Sequence, residues 1–297
     1  MPAGANEPLG PLRRGVGAIG EAFIAALILL FGRTVRPAAV PWLAGPVGGE
    51  RIGDRPYEDF ARSEGLTLTR NAAEGGLLPS LDVLAGPGFD VSRVTAACRD
   101  FYEHTAAYRI DIWTKSWFPA NLALWLLVTT ISRRVDQLNF PVDALETALG
   151  VDSEIVLLTG PDGRLRYTGW LRRLVGTGRV LYTGFYGTES VPGHPSPCVK
   201  VVFPMPDGSA TVILRPEIGG DGSLRLESAG RCFGDVGFYR LQRTADGRLR
   251  VWRIRTLEET FRLYEDREAV LRCDHRIRFL GLPVLQIHYR IERKRPR

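Results

Sequence analysis

Apolar and polar positions change their spacing along this chain, and three regions follow from the change. Residues 15–32, GVGAIGEAFIAALILLFG, are apolar except for Glu21 and are flanked by Arg13, Arg14, Arg33 and Arg36. As a helix this stretch spans ~27 Å, short of the ~30 Å hydrocarbon core. Three readings stay open: a spanning helix with Glu21 near one end, a signal peptide without a clear cleavage site, or a buried or interfacial helix docked on the body. Arginines on both flanks give little orientation signal. Residues 1–36 are therefore read as an apolar N-terminal helix, membrane-associated or docked.

Residues 37–90 are broken into short pieces by Pro37, Pro41, Pro46, Pro56, Pro79 and Pro87. One or two helical turns are expected from Pro56 to Glu64, with Tyr57 and Phe60 on one side. Leu77, Leu78, Leu81, Val83 and Leu84 favour an arm lying along a groove of the body over a free linker.

Residues 91–297 read as a β-rich domain with an embedded helix. Ser92 is placed to cap a helix carrying Val94, Ala97, Cys98, Phe101 and Thr105 at helical spacing. Tyr108, Ile110 and Ile112 then alternate with Arg109, Asp111 and Trp113, the pattern of a half-buried strand. Ser116 to Ser132 carries no charge, and Pro119 suits a first helical turn. A helix over residues 119–136, apolar on every face, has to be covered by lipid or by the inside of a curved sheet, and the strands that follow favour the sheet. Those strands are separated by Gly160-Pro161-Asp162-Gly163, Pro206-Asp207-Gly208, Gly219-Gly220-Asp221-Gly222 and Asp246-Gly247. A phase slip near Trp252 and Arg253 suggests a bulge. Toward the C-terminus, Leu271, Cys273, His275, Ile277 and Phe279 face one way, as do Leu285, Ile287, Tyr289 and Ile291. The pattern predicts a mainly β protein, α+β overall. About nine or ten antiparallel strands would form a barrel or strongly curved sheet enclosing one apolar helix, its other face wet and rich in arginine.

Composition narrows the partners. The 297 residues carry a net charge of +6, with 39 Lys and Arg against 33 Asp and Glu. Lysine occurs only at Lys115, Lys200 and Lys294. The arginines are scattered along strands, which disfavours nucleic acid and leaves an anionic membrane surface as the better use of the charge. Cys98, Cys198, Cys232 and Cys273 lack the close pairing of a zinc site and read as free thiols.

Candidate chemistry is sparse. Gly15, Gly17 and Gly20 spell G-x-G-x-x-G, but Glu7 to Arg14 cannot supply the buried strand that a dinucleotide turn requires. No cofactor and no metal is expected. G-x-S-x-G is absent, and Asp274 and His275, adjacent on a strand, point to opposite faces. His104 suits a helix C-terminus structurally, and His194 lies in a Pro-rich loop expected to be solvated. That leaves His275 and Cys273 as the titratable side chains on the predicted inner face. Tyr108, Ile110, His275, Ile287 and Tyr289 are the candidate ligand-binding residues, with His275 as a core histidine or a polar anchor.

The runs Leu81-Asp82-Val83-Leu84-Ala85-Gly86-Pro87-Gly88-Phe89-Asp90, Phe101-Tyr102-Glu103-His104-Thr105 with Tyr108, Asp111 and Trp113, and Gln137-Leu138-Asn139-Phe140-Pro141 resemble a bacterial β-domain family without assigned function. The chain is more loosely similar to the soluble C-terminal region of YndJ-like membrane proteins. The resemblance covers roughly residues 77–293, implies one β-rich domain, and brings no functional residue with it.

Three functions are expected to compete. The first is a non-catalytic barrel at a membrane surface, otherwise cytoplasmic, holding a lipid or other apolar small molecule. The second is a structural or assembly module with a packed core and a protein partner. The third, an enzyme, needs polar groups such as His275, His104 and Glu103 to converge on one pocket.

Overall fold

A computed structural model describes residues 22, 25–48, 52, 55–117 and 150–294. Among these described residues, fourteen strands form one antiparallel sheet. Numbered in chain order, its main path runs β2 (Thr67–Thr69), β4 (Val151–Thr159), β5 (Leu165–Leu174), β6 (Val180–Glu189), β7 (Cys198–Met205), β8 (Gly208–Ile218), β9 (Leu224–Glu227), β12 (Leu257–Glu265), β13 (Leu271–Phe279), β14 (Leu282–Arg293) and β3 (Tyr108–Ser116). A branch from β8 continues through β10 (Gly237–Arg243) and β11 (Leu249–Arg253) to β1 (Arg33–Val35). The sheet is curved but not closed, with β2 and β3 at the ends of the main path. Its curl brings the Arg172 guanidinium of β5 within 5.5 Å of the Tyr289 ring of β14, strands well separated along that path.

The hairpins turn where the sequence places Gly, Pro and Asp. Gly163 holds φ 75° and Gly247 φ 76°, in the left-handed region that glycine enters without a Cβ penalty. At Pro206-Asp207-Gly208 the positive φ belongs to Asp207, at 56°. Gly208 is needed for another reason: a Cβ there would run into the Leu241 carbonyl oxygen. The expected bulge at Trp252 is instead a strand end. β11 stops at Arg253, the Ile254 N–H donates to the Phe238 carbonyl, and β12 starts at Leu257.

The outer face is covered over β4 to β8, β10 and β11, while over β3 and β13 it stays wet, with Arg109, Trp113, Arg276 and Arg278 exposed. On the outer face of β5 and β6 lies α1 (Pro56–Glu64). Pro56 occupies its first turn with Glu58 and Asp59, Arg62 sits in its last, and Gly65 ends it at φ 64°. The helix buries Tyr57 and Ala61, with the Tyr57 and Phe185 rings 4.8 Å apart and the Tyr57 hydroxyl donating to the Gly184 carbonyl at 3.3 Å. Gly169 leaves the space that the Tyr57 ring fills. Farther along, Val40 and Leu43 pack on Ile213, Tyr239 and Val251. Lys200, 1% exposed, donates to Glu189 at 2.5 Å and to the Ala44 carbonyl at 2.9 Å, which ties this segment to β7.

The inner face packs against residues 77–107. Leu77, Leu78, Leu81, Leu84, Phe89, Val91 and Val94 are buried there, with Cys98, Phe101 and Tyr102 of α2 (Ala96–Glu103). Ser92 does not cap α2. It lies in a 3-10 turn at Val91–Arg93, where Asp90 accepts its N–H at 3.1 Å, and Thr95 precedes the helix. The helix expected over 119–136 and the G-x-G-x-x-G stretch lie outside the described residues. Residues 25–31 are helical, with Leu29, Leu30 and Phe31 exposed. Among the described residues no helix is long and apolar enough to cross a membrane.

Candidate functional site

Strand registers place the five expected ligand-binding residues on one face. His275 pairs with Ile287 and Cys273 with Tyr289 across β13 and β14. Tyr289 pairs with Ile112 and Ile291 with Ile110 across β14 and β3, and Tyr108 continues that alternation. Ile110, Ile287 and His275 are buried in the core. Tyr108 sits at the rim, its hydroxyl donating to Asp100 and its ring 5.5 Å from Phe101. With Ala97, Leu271, Ile291 and Arg293 it lines a cleft of about 380 Å³.

His275 is 4% exposed, and neither ring nitrogen has a hydrogen-bond partner. Its ring stacks on Phe261 with centroids 3.9 Å apart. Nε2 lies 3.8 Å from Glu259 Oε2, beyond hydrogen-bond reach. Glu259 is held there by its backbone, because its N–H donates to the Ser228 hydroxyl at 2.7 Å and its carbonyl accepts the Ser228 N–H at 3.0 Å. Glu259 therefore adds a further titratable group to the inner face, which the sequence pattern had left to His275 and Cys273.

A larger departure is Arg172. Along β5, Leu165, Tyr167 and Leu171 alternate with Arg166 and Trp170, and the fold decides which set faces inward. Leu171 packs under α1, while Trp170 and Leu174 join the inner core and Arg172 pairs with Tyr182 of β6. Arg172 is 2% exposed. Its guanidinium carbon lies 5.0 Å from the Trp170 ring centre, 5.5 Å from Tyr289 and 5.7 Å from Tyr182. Its Nε and Nη2 have no hydrogen-bond partner. The available signal was Trp170, Arg172 and Leu174 at alternate positions, obscured because apolar residues stand on both faces of this strand.

Tyrosines complete the arrangement. The Tyr182 and Tyr186 hydroxyls are 3.3 Å apart, and both rings meet Trp170 edge-on. Burial pushes the hydroxyls of Tyr182, Tyr186 and Tyr289 well above the usual phenol range, with Arg172 opposing the shift in each. All three thus stay protonated, as O–H groups, near neutral pH. Burial likewise raises the Cys273 and Cys98 thiols, so neither is a ready nucleophile. All four cysteines are free.

The remaining histidines have separate partners. His194 is only 10% exposed, contrary to a solvated loop, and its Nε2 lies 2.6 Å from Asp235. His288 meets Asp274 at 2.8 Å on the face opposite His275. His104 lies 3.0 Å from Asp100. Glu103 accepts the Leu81 N–H at 2.7 Å and meets Arg99 at 3.0 Å. Its role is to hold the segment before α2. No group of three or more His, Cys, Asp or Glu among the described residues could hold a metal ion.

Scans against protein-family models, curated proteins and solved structures found no match to this chain. The inner face offers O–H and N–H donors beside aliphatic surface.

Proposed function

We propose that the protein is a non-catalytic binding module that holds an apolar, lipid-like molecule against the inner face of its curved sheet at a membrane surface. The observation that carries this reading is His275, a buried imidazole with both nitrogens unpartnered among Phe261, Ile287 and Tyr289. Buried polar groups in folded proteins nearly always have a partner, and leaving one unmade costs about 1–3 kcal/mol. A ligand hydroxyl or carbonyl would relieve that cost while its tail covers Ile110 and Ile287.

The membrane side of the proposal draws on exposed apolar groups in two places. Leu29, Leu30 and Phe31 are one set, and Phe279, Leu280 and Leu282 at the β13–β14 turn are the other. Arg276 and Arg278, also exposed, flank the second set and suit an anionic surface. Glu258, opposite Arg278, offsets part of that charge.

Native mass spectrometry of the full chain purified from cells tests the binding reading. The expected result is a reproducible extra mass that organic solvent releases, together with lipid-like molecules in the extract. A chain of bare mass that also fails to take up an added apolar fluorophore would sink it. The second reading, an assembly module with a packed core, is favoured by Leu77, Leu78, Leu81 and Leu84, which cover the inner face with 2% exposure or less. That reading predicts the bare mass and a co-purifying protein.

A further inference from the structure

The buried guanidinium of Arg172 requires something that the described residues do not supply. Arginine keeps its charge at any ordinary pH, so it cannot escape burial by losing a proton. A buried charge is stable only when paired or well hydrogen-bonded, and removing its partner typically costs 3–5 kcal/mol. Here no carboxylate among the described residues pairs with Arg172. Glu154, the buried acid of neighbouring β4, pairs across the ladder with Leu171, which faces the other way, and is taken by Arg70 and Arg173. Glu259 of the inner face stands beside His275.

What surrounds Arg172 is aromatic, and the Tyr289 hydroxyl also comes within reach of its guanidinium without satisfying Nε or Nη2. Trp170, Tyr182 and Tyr289 offer ring faces, which attract a cation by roughly 0.5–2 kcal/mol each. Ring faces do not accept the Nε and Nη2 hydrogens in the manner of an oxygen. Those two donors share one edge of the planar guanidinium, the edge that meets both oxygens of a carboxylate in two parallel hydrogen bonds. The free atoms are therefore a matched pair. The hydroxyls of Tyr182 and Tyr186, 3.3 Å apart and protonated, add donors on the same face. Tyr289 links this corner to the rest of the face, since it pairs with Cys273 two residues from His275, and with Ile112 of β3.

We infer that Arg172 is the anchor of an anion site and that the molecule bound on the inner face is an alkyl monocarboxylate. Its head would take the Nε and Nη2 edge of Arg172, and its chain would lie along the aliphatic residues of β3 and β14. This assignment rests on the proposed apolar-ligand function but moves the polar head from His275 to Arg172, leaving His275 beside the aliphatic chain. The unpaired Arg172 edge supports it independently of His275.

The test titrates the full chain with dodecanoate, dodecanol and dodecyl phosphate by calorimetry, alongside the Arg172→Met and Arg172→Lys variants. In the native chain, dodecanoate is expected to bind at least tenfold more tightly than dodecanol and more tightly than the tetrahedral phosphate head. Arg172→Met is expected to abolish that preference, and the unliganded Tm should stay unchanged or rise because a buried charge is removed. Arg172→Lys keeps a charge but loses the fork, so it should retain only a small part of the preference. Equal affinity for acid and alcohol would overturn the anion site and leave the apolar-ligand reading standing. Tighter binding of the phosphate would overturn the carboxylate assignment. Binding of none of the three would overturn both. These comparisons are made on the native chain, so they decide the matter even if a variant fails to fold.

Discussion

Asp235 illustrates how much one side chain organises in this protein. Its carboxylate accepts the Arg231 N–H at 2.6 Å, the Val236 N–H at 2.8 Å and a contact from His194 at 2.6 Å. Burial pushes its pKa up, but the Arg231 N–H, His194 and the Val236 N–H outweigh that and hold it below the ordinary 3.8. A carboxyl with a depressed folded-state pKa contributes stability above its unfolded value and loses it as pH falls through the folded value. Asp235→Ala should therefore lower stability by about 1–2 kcal/mol at neutral pH, because the part-buried Val236 N–H and His194 lose their acceptor. In thermal melts the gap to the native protein should narrow as pH drops below 3.8. A gap that stays constant into acid would place the loss in packing rather than in the charge. Neither partner announced this pair, because His194 and Asp235 stand 41 positions apart and only the fold brings them together.

At the level of elements, the packing of α1 on the sheet is the most testable feature. A glycine in mid-strand normally weakens it, yet Gly169 and Gly184 occupy neighbouring strands under two layers of rings. Gly169 admits the Tyr57 ring on the outer face, and Gly184 leaves room for Tyr182, Tyr186 and Phe203 on the inner one. Gly169→Ala should destabilise the protein by about 1–3 kcal/mol through overpacking, measured by urea denaturation. Tyr57→Phe, which keeps the ring and removes one hydrogen bond, should cost about 1 kcal/mol. If Gly169→Ala proved neutral, α1 would not be seated as described. The helix itself was legible from Pro56, its acidic first turn and Gly65. Its seat was not, since nothing local to Pro56–Glu64 specifies a glycine over a hundred residues away.

Across the protein as a whole, a buried donor-lined face stands apart from exposed apolar tips. Leu280 is 67% exposed and Leu282 69%. Inserting two leucines into a bilayer contributes roughly 1.5–3 kcal/mol each. The full chain is expected to sediment with vesicles of phosphatidylcholine and phosphatidylglycerol, less so at high salt because the arginine contribution is screened. The Leu280→Asp, Leu282→Asp double variant should bind about tenfold more weakly or worse. Unchanged binding would remove the β13–β14 turn from the membrane side of the proposal.

By itself the sequence determined those features that depend on neighbours in the chain. Alternation along β13 and β14 identified their inner residues as far as Ile277, beyond which the register shifts and Phe279 is exposed; turn residues located the hairpins, and helix-end signals marked α1. These follow from local geometry, in which successive strand side chains point to opposite faces and certain turns need positive φ. Tertiary structure alone decided what each face meets. Apolar residues on both sides of β5 made its phase ambiguous until α1 covered one face and the curl of the sheet enclosed the other. That curl placed Arg172 among Trp170, Tyr182 and Tyr289, so an arginine that reads as surface in the chain became a buried charge in the fold.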